Sequence, residues 1–350
     1  MRKVIQVTTR HMPSDTRIYR KYCLTLLEKF PLEYLSVKKA EKKLKVNHKV
    51  INSKFKIFSR LLMEKNVAIH FHDPDFIIYA FLLSIFTNNK VIYDVHEDAP
   101  LDIQYKVWIP KVIRYPLSFI FGILEKNLSR SFSGITTATD FIRNKFVKFN
   151  SNVATIHNYP ITKTEENIYP WKDKNDQYCY VGSIAKFRSI YQIINVTDKK
   201  GQLKLAGSFT NEGLKKDIES LSNWKNVDYL GFINTQERNK LLDKSKIGLI
   251  ILQPIKTFLD AIPVKLFEYM ERGIPVIASN FKINEDFVTQ NKCGLLIDPE
   301  NELELKEGIK YLLENQEVAK KMGENGRKAV LEKYNWEKES QKLISFYNKI

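Results

Sequence analysis

The feature that most constrains this chain is a rhythm of short runs rich in β-branched and aromatic residues, each separated by a stretch long enough for a helix. The first six runs are VIQVTT (4–9), LEYLSV (32–37), VAIHFH (67–72), KVIYDVH (90–96), GITTAT (134–139) and VATIHN (153–158). Six more follow at 178–183, 203–208, 227–232, 247–252, 274–279 and 294–298. Strands joined by helical crossovers pair in parallel, and a parallel sheet needs helices on both faces.

The rhythm breaks once, at YPITKTEENIYPWKDKND (159–176), which carries two prolines, many charges and little periodicity. The expectation is therefore α/β: two Rossmann-like doubly wound domains facing across a cleft. Their spans are 1–160 and 177–335, joined by a linker at 161–176. A helix at about 336–350 is expected to pack back onto the first domain. Ligands of such sheets bind beyond the carboxyl ends of the strands, so chemistry-bearing residues are sought there.

Five of six histidines fall at or just after strand ends: His11, His70, His72, His96 and His157. His96 stands in YDVHEDAP beside Asp94 and Glu97, and His72 leads into Asp73-Pro74-Asp75. Asp15 and Arg17 lie where the first strand turns into its helix. Each acid has a plain alternative as a helix cap, with Asp73 before Pro74 suited to a helix start. Grouped, these residues could supply a general base or polar contacts to sugar hydroxyls. Asp-x-Asp at 73–75 also has the form of a metal–diphosphate signature of some sugar transferases; because it begins a helix, a metal role is the lesser alternative to a cap or an acceptor contact.

No P-loop and no GxGxxG occurs among the 13 glycines. The second half opens instead with YVGSIAKFRS, which puts Gly182, Ser183, Lys186 and Arg188 where a strand passes into a helix, a setting for a diphosphate. In KLFEYMERGIPVIAS, Pro263 starts a helix and Gly273 stops it before the next strand. Leu266, Phe267 and Met270 would face the core. Glu268 is then either a ligand contact or half of an i,i+4 pair with Arg272.

The chain carries 56 basic and 40 acidic residues, a formal charge of +16. That balance fits anionic substrates or an anionic membrane face. The lysines are spread out except for VKKAEKKLKVNHK (37–49), and neither zinc-finger spacing nor an RNA-binding sheet motif occurs, so nucleic acid is not expected. Cys23, Cys179 and Cys293 are isolated, which suits a reducing, cytoplasmic setting. The first residues do not read as a secretory signal. The longest apolar run, Phe76 to Phe86, is well short of the roughly 20 residues that span a bilayer, so a soluble protein is expected. The segment 105–130 mixes Lys and Arg with Trp, Phe, Ile and Leu. It reads either as an interfacial helix or as a buried crossover with a basic edge.

VKLFEYMERGIPVIAS closely resembles the donor-site motif of retaining nucleotide-sugar glycosyltransferases of family four, which have the GT-B fold. HMPSDTRIYRK, HFHDPD, YDVHEDAP and IHNYP resemble the acceptor-side landmarks of a bacterial surface-polysaccharide branch. The resemblance implies a donor site of Gly182, Ser183, Arg188, Gly231, Phe232, Lys265, Leu266 and Glu268, with Glu268 on the ribose hydroxyls. It implies catalytic roles for His72, His96, Arg188, Lys265 and Asp260, and acceptor-side roles for His11, Asp15, Arg17, Asp73 and Glu97. Ser183 stands where an arginine is common, and Lys265 is the replacement cation. Asp260 stands eight positions before Glu268, where a glutamate is usual. The expected activity is metal-independent, cofactor-free transfer of a hexose from a nucleoside-diphosphate sugar to a saccharide or lipid-linked saccharide. UDP is favoured over GDP. The protein would be cytoplasmic and peripheral on an anionic membrane. A non-catalytic binding relative and an epimerase or phosphorylase of the same architecture are the alternatives.

Overall fold

The computed structural model describes residues 2–106, 108–162, 169–259 and 262–350, so Asp260 and residues 163–168 of the expected linker lie outside it. The chain divides into two units, Met1–Asn158 with Trp336–Ile350, and Tyr159–Asn335.

The first unit holds a seven-stranded sheet of β1 (Val4–Thr8), β2 (Leu32–Ser36), β3 (Asn47–Val50), β4 (Ala68–Phe71), β5 (Lys90–Val95), β6 (Gly134–Thr137) and β7 (Val153–Thr155). The order is β3-β2-β1-β4-β5-β6-β7 and every pairing is parallel. Buried on both faces, β1, β4 and β5 read as near-continuous apolar runs. On one face Ile5, Val7, Ile69 and Phe71 pack with Ile57, Leu61, Ala80 and Leu83 of two helices, Lys54–Leu62 and Ile77–Phe86. On the other, Ile18, Tyr22, Leu26 and Tyr34 meet Trp336, Leu343, Phe346 and Tyr347 of the C-terminal helix Trp336–Lys349.

Strand β3 was not among the twelve runs that the sequence suggested. Its residues NHKV are largely exposed at the sheet edge and show no apolar alternation. Such polar, lysine-bearing edges discourage pairing with another chain.

The second unit holds β8 (Tyr178–Val181), β9 (Leu203–Ala206), β10 (Val227–Gly231), β11 (Ile247–Ile250), β12 (Val276–Ser279) and β13 (Gly294–Ile297), in the order β10-β9-β8-β11-β12-β13. Again all pairings are parallel. In both sheets the strand order reverses once, between β1 and β4 and between β8 and β11, and the carboxyl ends flanking those points are where ligands of doubly wound sheets bind. At the second point a Cβ on Gly207 (φ +145°) would lie 1.7 Å from the carbonyl oxygen of Gly182. Only glycine lets the ends of β8 and β9 approach so closely.

Candidate active-site clusters

The first unit gathers its polar residues on one face of the sheet. Asp94, next to the carboxyl end of buried β5, holds several partners on each of its two oxygens. Oδ1 accepts from Arg17 Nη2 (2.8 Å), Tyr22 Oη (3.1 Å) and Thr136 Oγ1 (2.7 Å). Oδ2 accepts from Arg17 Nε (3.0 Å) and lies 3.0 Å from His72 Nδ1 and 2.7 Å from His96 Nε2. Burial alone would raise the Asp94 pKa, but the Arg17 guanidinium and the histidine contacts hold it well below the usual carboxylate range.

His72 is fully buried, with Nε2 2.7 Å from Gln6 Oε1 as well as Nδ1 on Asp94. Burial lowers its pKa and favours the neutral ring. His96 touches the same carboxylate yet keeps its side chain 16% exposed, so of the two expected catalytic histidines it is His96 that reaches solvent. His70 is sealed in by Tyr347 Oη (2.7 Å) and Thr136 Oγ1 (3.2 Å). The second tyrosine therefore comes from the C-terminal helix.

The acceptor-side expectations separate into different roles. Asp15 caps its helix, with Oδ1 accepting from the backbone N–H groups of Arg17 and Ile18. Arg17 is buried against Asp94, so neither residue presents its side chain as a free acceptor contact. Asp73 occupies the N-cap position before Pro74, but its side chain does not cap the turn: its Oδ2 accepts from Thr8 Oγ1 and Thr9 N, both at 2.7 Å, and its Oδ1 pairs with His11 Nδ1 at 2.7 Å. That hydrogen bond raises the His11 pKa and fixes the loop after β1. His11 and His96 rings lie 4.9 Å apart at this sheet edge, and Glu97 is exposed beside them.

His72, Asp94 and His96 offer ligand atoms within 4.8 Å of one another, the one group of three or more potential metal ligands among the described residues. The donor set fits a proton-bearing network better than a dication. Asp94 already pairs with a guanidinium, and a cation there would meet the buried charge of Arg17.

In the second unit a cavity of about 490 Å³ opens at the carboxyl ends of β8, β9 and β10. Gly182, Ser183, Gly207, Phe232, Arg238 and Lys265 line it, and Phe232 is 82% exposed. Gly231 adopts φ +65° and its carbonyl accepts from Gly207 N at 2.7 Å. Glu268 stands on the helix Val264–Glu271, whose Leu266, Phe267, Tyr269 and Met270 are buried. The glutamate is on the opposite, more exposed side of that helix. Its Oε1 pairs with Arg238 Nη1 and its Oε2 with Lys265 Nζ, each at 2.7 Å. The i,i+4 pair with Arg272 does not form, because Arg272 turns to Asp243 (3.5 Å). Arg238 was missed in the sequence: it sits 30 positions from Glu268 on another helix, Thr235–Lys244, with no local pattern to single it out.

Arg188 ends a short turn, Lys186–Arg188, and its buried Nε has no hydrogen-bond partner. The guanidinium lies near Tyr180. Burial pushes that phenol up to about 12, and Arg188 pulls it the other way. Ser183 is exposed and its carbonyl accepts from Tyr180 Oη at 2.7 Å.

Residues 162–329 match the family described as glycosyl transferases group 1. Among curated proteins, a poly(ribitol-phosphate) alpha-N-acetylglucosaminyltransferase of Staphylococcus aureus is 27% identical over 57% of this chain and 38% of its own length. Spore coat protein SA of Bacillus subtilis is 31% identical over 24% of this chain and 22% of its own. The chain thus spans less than half the length of the curated relatives it matches. Among solved structures, Anabaena Alr3699/HepE in complex with UDP-glucose superposes over 100% of both chains with a TM-score of 0.77 at 13% identity. Sucrose-phosphate synthase from Thermosynechococcus elongatus does so over 100% and 99% with a TM-score of 0.73 at 14%. The two-unit fold is the GT-B fold of these glycosyltransferases.

Proposed function

Because residues 162–329 match the glycosyl transferases group 1 family, we propose that the chain moves a hexose from a UDP-sugar to a saccharide or lipid-linked saccharide acceptor with retention of anomeric configuration. The observation that carries this reading is the Glu268–Arg238–Lys265 cluster at the cavity beyond β8 and β9. A carboxylate can accept both ribose hydroxyls of a nucleotide, and two cations beside it can take a diphosphate. The diphosphate would draw Lys265 and Arg238 from Glu268 and free its oxygens for the ribose. Developing charge on the leaving diphosphate is met by Lys265, Arg188 and the backbone N–H groups near Gly182, so no metal is required for that step. The UDP-glucose complex of the Anabaena protein supports UDP as the donor nucleotide.

In the first unit, His96 at the edge of its Asp94 network is placed to orient a sugar hydroxyl, with His11 beside it. The proposal extends to an anionic membrane surface. Among the described residues no helix is long and apolar enough to cross a bilayer. The helix Lys111–Ser129, however, exposes Val112, Ile113, Tyr115, Leu117, Phe119, Ile120 and Ile123 at 41–84%, flanked by exposed Lys111, Lys126 and Arg130. Exposed apolar rows edged with cations suit a helix lying in a lipid interface.

The direct test incubates the protein with a panel of UDP- and GDP-hexoses and saccharide acceptors, and reads product anomers by NMR. Transfer with retained configuration supports the proposal. Transfer with inversion, or no transfer from any donor, contradicts it.

A further inference from the structure

The polar side chains around Asp94 close into a ring whose hydrogens can run in one direction only. Asp94 is ionised against Arg17, so its oxygens only accept. Thr136 Oγ1, 2.7 Å from Asp94 Oδ1, therefore donates to it and keeps its lone pairs for His70 Nε2 at 3.2 Å. His70 is buried and neutral, so its single ring proton is on Nε2 and its Nδ1 is an acceptor. Tyr347 Oη, 2.7 Å from that Nδ1, donates to it and can then only accept from Gln6, at 2.9 Å. Gln6 accordingly turns its amide nitrogen to Tyr347 and its oxygen to His72 Nε2, 2.7 Å away. The proton of the neutral His72 is thereby fixed on Nε2, and its Nδ1 is left as a lone pair.

That step reaches His96. His72 Nδ1 lies 3.0 Å from Asp94 Oδ2 and 3.3 Å from His96 Nε2. A buried lone pair beside a carboxylate oxygen needs a donor, and the His96 Nε2–H, 2.7 Å from the same oxygen, is placed to serve both. The neutral His96 ring then has its proton on Nε2 and an unprotonated Nδ1. Among the described residues that Nδ1 makes no hydrogen bond, and the side chain is partly exposed. Tyr347 itself is buried and bonds to Gln6 and His70, not to His96.

We propose that Tyr347, on the C-terminal helix, is a positioning residue for sugar transfer: its hydroxyl orients Gln6, and through His72 keeps His96 in the tautomer that offers Nδ1 to a sugar hydroxyl. This rests on the reading of His96 as the group that orients that hydroxyl. The tyrosine is the joint of the ring because it donates on one side and accepts on the other, and because it comes from the last helix while Gln6 and His70 lie on paired strands. A phenylalanine there leaves the Gln6 amide free to turn over. The turned amide donates to His72 Nε2, which moves the His72 proton to Nδ1 and sets His72 against His96 for Asp94 Oδ2.

The test uses the full chain labelled with nitrogen-15 histidine, and long-range proton–nitrogen NMR spectra that read which ring nitrogen carries the proton; replacing the histidines by glutamine one at a time assigns the signals. At about pH 9, where an ordinary histidine is neutral, wild type should show His70, His72 and His96 all protonated on Nε2. Tyr347→Phe should move the His72 proton to Nδ1 and lower kcat at least about tenfold, with the donor KM within about twofold and the UDP-induced melting rise as in wild type. Gln6→Met breaks the ring one bond later, should act in the same way, and decides the case if Tyr347→Phe does not fold. A wild-type His72 protonated on Nδ1 overturns the proposal, whatever the variants do. So does a folded variant in which either the tautomer or the turnover stays as in wild type, since a merely structural role moves turnover without moving the proton. A wild type with the expected tautomers and no transfer from any donor sinks the proposed reaction and leaves the ring standing.

Discussion

Arg238 Nη1 lies 2.7 Å from Glu268 Oε1, joining two helices of the second unit over a carboxylate that also holds Lys265. Both partners are partly exposed, at 19% and 15%, so this pair adds little to stability. Its place at the mouth of the cavity gives it a ligand-dependent role.

Glu268→Ala should fold with a melting temperature close to wild type, because a partly exposed ion pair contributes about 1 kcal/mol or less. Its kcat/KM for the nucleotide sugar should fall by about a hundredfold, as expected when a hydrogen-bonding carboxylate loses two donor hydroxyls. Arg238→Ala should raise the donor KM more than it lowers kcat, since its contact is with bound diphosphate. Steady-state kinetics on both variants, beside their melting curves, checks the pair.

The histidines of the first unit should divide by burial. His72→Ala removes a ring hydrogen-bonded at both nitrogens and should cost about 2–4 kcal/mol of stability. Asp94→Asn leaves Arg17 buried without its countercharge and should cost about 3–5 kcal/mol. His96→Ala, at the rim, should keep most of its stability and lose turnover. Denaturant melts paired with transfer assays separate these cases, and a stable, inactive His72→Ala would reverse the assignment.

Glu125 gives the fold a pH dependence. It is buried, and desolvation raises its pKa to about 7 from an ordinary value of 4.5, even though it accepts from Tyr93 Oη at 3.0 Å. The folded state therefore keeps a proton that the unfolded state loses first. Stability should fall as pH rises from about 4.5 to about 7, by about 3 kcal/mol for this group. Glu125→Gln, which keeps the shape and carries no charge, should flatten that part of the profile when urea midpoints are compared at pH 5 and pH 8.

The apolar row on Lys111–Ser129 should bind lipid. Co-sedimentation with vesicles rich in phosphatidylglycerol is expected at low salt, with less on pure phosphatidylcholine. Val112→Asp/Phe119→Asp should release the protein into the supernatant while leaving its melting temperature unchanged, because both side chains are exposed.

Much of the architecture was legible because parallel strands buried on two faces must be continuous apolar runs. Among the described residues, twelve of thirteen strands fall on runs that the sequence suggests, whereas β3 hides behind the exposed NHKV of an edge. The helix at Val264–Glu271 could be bounded from Pro263 and Gly273, since one presets the first turn and the other, at φ +63°, takes a left-handed stop. The partners within the sites were less readable. Arg17 meets Asp94 across 77 positions, and Gln6 meets Tyr347 across 341. No periodicity records such contacts; sheet order and the return of the last helix create them. Asp94 did leave a trace, a lone acid inside the buried run VIYDV, where charge persists only if it is paired.

The most direct measurement is the melting temperature of wild type and Glu268→Ala with UDP, GDP, ADP, CMP and dTDP, each with and without EDTA. A ligand that binds only the folded state raises it. The account predicts a clear rise of the wild type with UDP, unaffected by EDTA and absent in Glu268→Ala. A wild type that no nucleotide shifts, or a Glu268→Ala that responds as wild type does, would contradict it.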